Sequence, residues 1–340
     1  MNDAKAPVSG RLLYLDGWRG AAIFLVLFGH FIPIPGSDAG RAGVELFFLL
    51  SGFLMGRLLL EKQVPLKRFF LRRLGRVLPG LLAFLTLAVI LQLLAPRIFE
   101  TFKLSDSLSV LLFYSNYNFL ESRPGIFGHT WSLAIEEHSY VVLGLVAVVV
   151  AKRRVVVAAS VIGGLTLLMW LSGYLQTRSG LDYHQVFWRT DVRGASIFTG
   201  FVLFSVRSRI ADLYGRVTSK FGPAGVGLMF AGSSALLLFR AVPNPLKYSV
   251  GTLLCGVVLI SLDSGTSPQK LKKLFEARAL RWLGKYSYSI YLFQQIFHIW
   301  KVEFHFLLWP VLGIVSVVVG KVSFELIETP GQRLVDRITQ

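Results

Sequence analysis

Of the 340 residues, 54% are hydrophobic and 16% charged, yet the formal net charge is +17. One soluble core cannot hide that much apolar surface, which excludes an ordinary soluble globular domain and points to many membrane spans. A strongly basic soluble chain would suggest nucleic acid, but here the Lys and Arg residues fall in short loops between apolar runs, no nucleic-acid motif appears, and membrane orientation explains them better.

In chain order, apolar runs long enough to cross lie near residues 14–34, 43–60, 77–95, 132–151, 155–175, 194–207, 223–240, 248–263, 286–302 and 306–327. They predict an all-α integral membrane protein, with about ten transmembrane helices in one bundle. The stretch 105–125 is apolar only in its middle and is bounded by Ser, Asn, Asp and Pro. It is left out of the count as a re-entrant piece or a surface helix. The basic segments 57–76, 152–154, 207–220 and 270–285 then share one side with both chain ends, so both termini are expected in the cytoplasm of a multi-pass cell-membrane protein. Counting 105–125 as a span would put "AKRR" and "KLKK" on the wrong side. No internal repeat or low-complexity linker divides the chain, so one integral domain over 1–340 is expected, with its core at 12–333 and no soluble second domain. The first run reads as a retained span, not a cleaved leader. Cys255, in "GTLLCGVVLI", reads as a small apolar filler; a single cysteine allows neither an internal disulfide nor a cysteine metal site.

The first run, "LDGWRGAAIFLVLFGHF", carries Asp16, Arg19 and His30. Ionisable groups in an apolar helix are costly and are either paired structural elements or functional ones. Arg19 and His30 are eleven positions apart, which in a helix means an offset of about 20° and a rise of roughly 16 Å along one face. Asp16 is placed to pair with Arg19. His30 falls towards the outer half of the span, where a neutral imidazole can take a proton from a substrate hydroxyl. The blander alternative is a structural ion pair, with His30 bonding a neighbouring carbonyl.

The second run, "GVELFFLLSGFLMG", adds Glu45, whose one basic neighbour in sequence is Arg41, and Ser51 with Gly52, a small notch where helices can approach closely. The following loop, "RLLLEKQVPLKRFFLRRLGRVLPG", is the most basic in the chain. Orientation and lipid phosphates explain much of it. Arg73 and Arg76, three apart on one helix face and next to Arg72, also suit a polyphosphate such as a nucleotide or coenzyme A. Further on, "GHTWSLAIEEHSY" holds Glu136 and Glu137 early in a helix, where the dipole favours acids. The two point about 100° apart, so one is expected to face the bundle interior. Glu136, Glu45 and His30 are expected at similar depth, with a carboxylate, Glu136, orienting the imidazole.

"LDGWRGAAIFLVLFGH", "GVELFFLLSGFL", "FFLRRLGRVLP", "HTWSLAIEEHSY" and "LGKYSYSIYLF" stand in the order and spacing seen in the acyltransferase-3 family of integral membrane O-acyltransferases, which the chain resembles over nearly its whole length. The resemblance implies transfer of an acyl group, commonly acetyl from acetyl-coenzyme A, to a hydroxyl of a glycan, a lipid-linked sugar or a small natural product, with no metal. It implies an essential catalytic role for His30. It ties Arg19, Arg73 and Arg76 to donor binding or to shaping the site, matches Glu136 to the family's "WSL" block acid, and matches Glu328 and Pro330 to its terminal pattern. Trp18, Glu45, His138, Ser139 and Gln294 depart from the family pattern; at Gln294 many relatives have His. The site expected is therefore catalytic His30, Glu136 and Arg19, donor-binding Arg72, Arg73 and Arg76, and substrate-binding Ser51, Glu45 and Glu137. A transporter using Arg19, His30 and the acids as an ion pathway is the alternative, although nothing suggests an inverted repeat.

Overall fold

A computed structural model describes residues 12–99, 102–120, 125–150, 155–212 and 224–338. The basic segment 152–154, most of the N-terminal segment, Arg123 and the 213–220 part of the basic segment 207–220 lie outside the described residues. In a bilayer the backbone must satisfy its own polar groups, so the apolar runs become helices. These are α1 (Leu13–Phe31), α2 (Ala39–Gly56), α3 (Leu66–Leu94), α4 (Leu104–Leu111), α5 (Trp131–Val150), α6 (Val155–Arg178), α7 (Ala195–Ser205), α8 (Ala224–Leu238), α9 (Thr252–Asp263), α10 (Gln269–Phe275), α11 (Arg278–Lys285), α12 (Ser287–Trp300), α13 (Trp309–Ser323) and α14 (Thr329–Ile338). Among the described residues, the β-structure is one isolated bridge, Ser37 to Phe239.

Six helical stretches among the described residues are long and apolar enough to cross a membrane: Ala39–Glu61, Leu66–Leu94, Gly125–Val148, Val155–Arg178, Asn244–Asp263 and Phe306–Arg337. Among the described residues, six of the ten expected spans meet that test of length and composition. The other four positions hold α1, α7, α8 and α12. The last three have 11, 15 and 14 residues, short of the roughly 20 that a full crossing needs. In α1 the polar Asp16, Arg19 and His30 dilute the apolar run. α7 is buried along nearly its whole length, so neighbouring helices rather than lipid surround it. The 105–125 stretch holds the eight-residue α4 and a short turn at Ser115–Asn118, both too short to cross.

Glycines set the tightest crossings. A Cβ on Gly52 of α2 would lie 1.7 Å from the Ile197 carbonyl oxygen of α7, and one on Gly200 would lie 2.1 Å from that of Leu49. The notch expected at Ser51 and Gly52 is thus a backbone-to-backbone contact. Trp18 bridges α1 and α2 by donating its indole N–H to the Leu46 carbonyl at 3.0 Å. At the far end of α1, the buried Asp38 pairs with the buried Lys247 and also faces Arg41 and Arg240.

Among the described residues, three helices contain a π turn, at Arg57–Glu61, Lys247–Gly251 and Phe324–Glu328. Each ends or begins with a residue held by a charge or hydrogen-bond partner: Glu61 by Arg207, Lys247 by Asp38, and Glu328 by the Ser289 hydroxyl.

Candidate active site

α1 and α3 begin, and α2 ends, at the same end of the bundle, because consecutive helices run antiparallel. Between them lies a cavity of about 590 Å³. Arg19 from α1, Arg57 and Lys62 after α2, and Arg72 and Arg76 from α3 line its basic part. Lys62, Arg72 and Arg76 are exposed, so the mouth opens on this basic surface. Arg19 pairs with Asp16 at 3.3 Å, as the spacing suggests. Arg72 lies 3.7 Å from Asp336.

Arg73, between these two arginines in sequence, is placed differently. Its Nε donates to Glu137 at 2.6 Å and its Nη2 to Glu136 at 2.8 Å, while the guanidinium lies 3.8 Å from the centre of the Tyr140 ring. The Ser51 hydroxyl donates to the other oxygen of Glu136 at 2.8 Å. Arg73 therefore has its fork filled by protein carboxylates, and the two acids expected to diverge share one cation. Glu136 and Ser51 line the cavity at this level.

Deeper along α5 and α12 the lining becomes His129, Thr130, Ser132 and Tyr291. The Tyr291 hydroxyl bonds the Ser132 hydroxyl at 2.6 Å and donates to the His129 carbonyl at 3.0 Å. The His129 ring packs edge-on to Phe84 at 5.2 Å and against Tyr291 at 5.5 Å.

His30 lies beyond this wall and is not among the lining residues. It is within electrostatic reach of His129. Its Nδ1 is 2.7 Å from Gln294 Oε1, and its ring stacks on His298 with centroids 4.1 Å apart. The Lys301 ammonium donates to the His30 main-chain carbonyl. The structure does not bring Glu136 to His30. Glu136 is held by Arg73 and Ser51 on the other side of the His129 wall, and the group that orients the imidazole is an amide.

Glu45 departs further from expectation. Completely buried, it pairs with Arg193 and accepts from the Thr252 hydroxyl, outside the cavity. Arg41, its one basic neighbour in sequence, instead faces Asp38 at 3.4 Å and covers the Tyr183 ring. A carboxylate this deep needs a cation at hydrogen-bond distance, and α7 supplies it. His138 serves packing, since its Nδ1 bonds the Thr190 hydroxyl at 2.8 Å.

Sequence reasoning missed His129, His298 and Arg193. His129 opens the "HTWSLAIEEHSY" block and His298 stands one helical turn after Gln294, so position offered a signal for both. No group of three or more His, Cys, Asp or Glu able to hold a metal ion occurs among the described residues.

A basic mouth, a cavity and a cluster of three histidines lie in one bundle, and comparison with known proteins says which family shares this sequence. The family model described as an acyltransferase domain matches residues 12–325. The peptidoglycan O-acetyltransferase OatA of Listeria monocytogenes is 28% identical over 93% of this chain and 55% of its own length. The putative peptidoglycan O-acetyltransferase YrhL of Bacillus subtilis is also 28% identical, over 93% and 54%. A putative O-acetyltransferase of Staphylococcus aureus is 24% identical, over 93% and 56%. The chain thus spans about half the length of these curated relatives. No solved structure matches it. With the family model covering nearly all of the described helices, the chain belongs to the acyltransferase-3 family of acyltransferase domains.

Proposed function

We propose that the protein is a membrane O-acyltransferase that moves an acetyl group from acetyl-coenzyme A to a hydroxyl of a glycan, of the kind named for its peptidoglycan-modifying relatives. The observation that carries this reading is one continuous cavity whose lining includes the exposed cations Lys62, Arg72 and Arg76 at one end and His129 at the other. Arg72, Arg76 and Lys62 supply cations for the donor phosphates at the mouth. Arg19 lines the passage. Arg73 fixes Glu136 and Glu137, and with them the shape of the middle of the cavity. An extended pantetheine arm is comparable to half of the roughly 30 Å hydrocarbon core, long enough to carry a thioester from the mouth to the His129 wall.

His30 is the general base. It removes the proton of the acceptor hydroxyl as the oxygen attacks the thioester carbonyl; the C–O bond forms, the C–S bond breaks and the thiol departs with a proton. The basic mouth faces the cytoplasm, where the positive-inside bias puts it, and the glycan approaches from the other side.

Purified protein incubated with acetyl-coenzyme A and a glycan acceptor is expected to add one acetyl unit, read by mass spectrometry. His30→Ala should insert and fold normally yet lose transfer by roughly two to four orders of magnitude. Transfer by a folded His30→Ala protein at near the parental rate removes His30 from the mechanism.

A further inference from the structure

His30 has one side-chain hydrogen-bond partner, Gln294, and that amide is completely buried. The Gln294 amide nitrogen turns to the Tyr291 carbonyl at 3.4 Å, which leaves its oxygen facing Nδ1 of His30 at 2.7 Å. An amide oxygen only accepts. With the amide in this orientation, the hydrogen between the two sits on Nδ1 and the free lone pair of the ring on Nε2.

The surroundings of Nε2 suit a base. A Cβ on Gly40 would lie 3.5 Å from Nε2 and 3.4 Å from Cδ2, so glycine keeps a side chain of its own off that edge of the ring. One face is covered by His298. The titratable and charged groups that face His30 are His298 from α12, Lys301 just after it, and His129 before α5. None is an acid. Among the described residues, no carboxylate bonds or pairs with His30.

We propose that Gln294 is the positioning residue of the reaction, fixing His30 as the Nδ1–H tautomer so that Nε2 faces the acceptor hydroxyl, in a site that works without a carboxylate behind the imidazole. The inference rests on the acyl-transfer reading of the site. It extends that reading to the fate of the proton. A triad acid would stabilise an imidazolium; an amide beside two histidines and a lysine does not. The proton taken from the acceptor O–H by Nε2 is therefore passed on to the departing sulfur as the C–S bond breaks, so His30 ends the step neutral and the thiol leaves as R–SH.

Three variants and a spectrum test this in the full-length protein, with acetyl-coenzyme A as donor and a chitooligosaccharide as probe acceptor. Gln294→Leu removes the acceptor for Nδ1–H, and kcat is expected to fall at least about a hundredfold with the donor KM unchanged, short of the roughly 10⁴-fold seen when a triad histidine is held in the wrong tautomer. Gln294→Glu restores an acceptor and adds a counter-charge, which stabilises the imidazolium. Activity should then return at alkaline pH, with the acid limb of the rate profile displaced upward by about one pH unit or more. Nitrogen-15 spectra of histidine-labelled protein, with the His30 signals identified by their loss in His30→Ala, should show a protonated Nδ1 and a bare Nε2 in the parent and a mixture in Gln294→Leu.

An acid limb in Gln294→Glu that superimposes on the parent, or a parent spectrum with the proton on Nε2, overturns the proposal. A parent that transfers no acetyl group to the probe or to any other glycan defeats the acyl-transfer reading instead, while the spectrum still decides the tautomer.

Discussion

Arg73 and Arg76 lie one helical turn apart and are expected to fail in different ways. Arg73 is held by two carboxylates and an aromatic face, with 17% of its side chain exposed; Arg76 is exposed at the cavity mouth. Removing one member of a buried pair strands its partner, at a cost of about 3–5 kcal/mol when burial is complete. Cavity water lowers that figure for Arg73, so Arg73→Ala should depress Tm clearly, and Arg73→Lys, which cannot span both acids as a fork, should recover little of it. Arg72→Ala combined with Arg76→Ala should leave Tm nearly unchanged and raise the donor KM about tenfold or more, as expected from losing charge-assisted bonds of about 1.5–3 kcal/mol each. An unchanged donor KM in the folded double variant argues that the phosphates bind elsewhere. The candidates were legible in the sequence because Arg19, His30 and Glu136 stand out as ionisable groups in apolar runs and Arg73 belongs to the most basic loop. Their partners were not. Glu45 finds Arg193 at a separation of 148 residues and His30 finds Gln294 at 264, and no local pattern encodes contacts that only the packed bundle creates.

At the scale of the element, the closest helix contacts depend on absent side chains. At Gly52 an added methyl group would meet the Ile197 carbonyl oxygen at 1.7 Å, and a rigid main-chain atom cannot yield as a side chain can. Gly52→Ala is expected to force α2 and α7 apart and to give little monodisperse protein on size exclusion. Gly163, in α6, has nothing within 4 Å of an added Cβ. Gly163→Ala should be tolerated, with a helix-propensity gain of up to about 1 kcal/mol. Equal losses in both variants would mean that the α2–α7 contact is not the limiting one. Hydropathy located these helices because lipid-facing surface must be apolar. It does not separate a full crossing from a short helix such as α7, which its neighbours bury, because both leave the same apolar signature. The π turns left no signature in hydropathy, since one extra residue per turn changes the phase of the helix and not its composition.

At the scale of the molecule, the two-sided reading is tested with sealed vesicles of known orientation. Acetyl-coenzyme A should support transfer only from the side bearing the basic mouth, and a membrane-impermeant glycan only from the opposite side. Efficient transfer with both substrates confined to the side of the mouth defeats the two-sided arrangement and leaves acyl transfer intact. The cavity has an electrical consequence as well. On the two-sided reading, a vestibule filled with water would conduct and so concentrate the membrane potential between the His129 wall and the opposite surface, where that reading places His30. A full elementary charge carried across it does work of about 2.3 kcal/mol for every 100 mV. With a potential imposed on the vesicles, any net charge moved at His30 during turnover should make the rate voltage-dependent, whereas proton transfer through His30 Nε2 that leaves the ring neutral predicts a rate that stays flat.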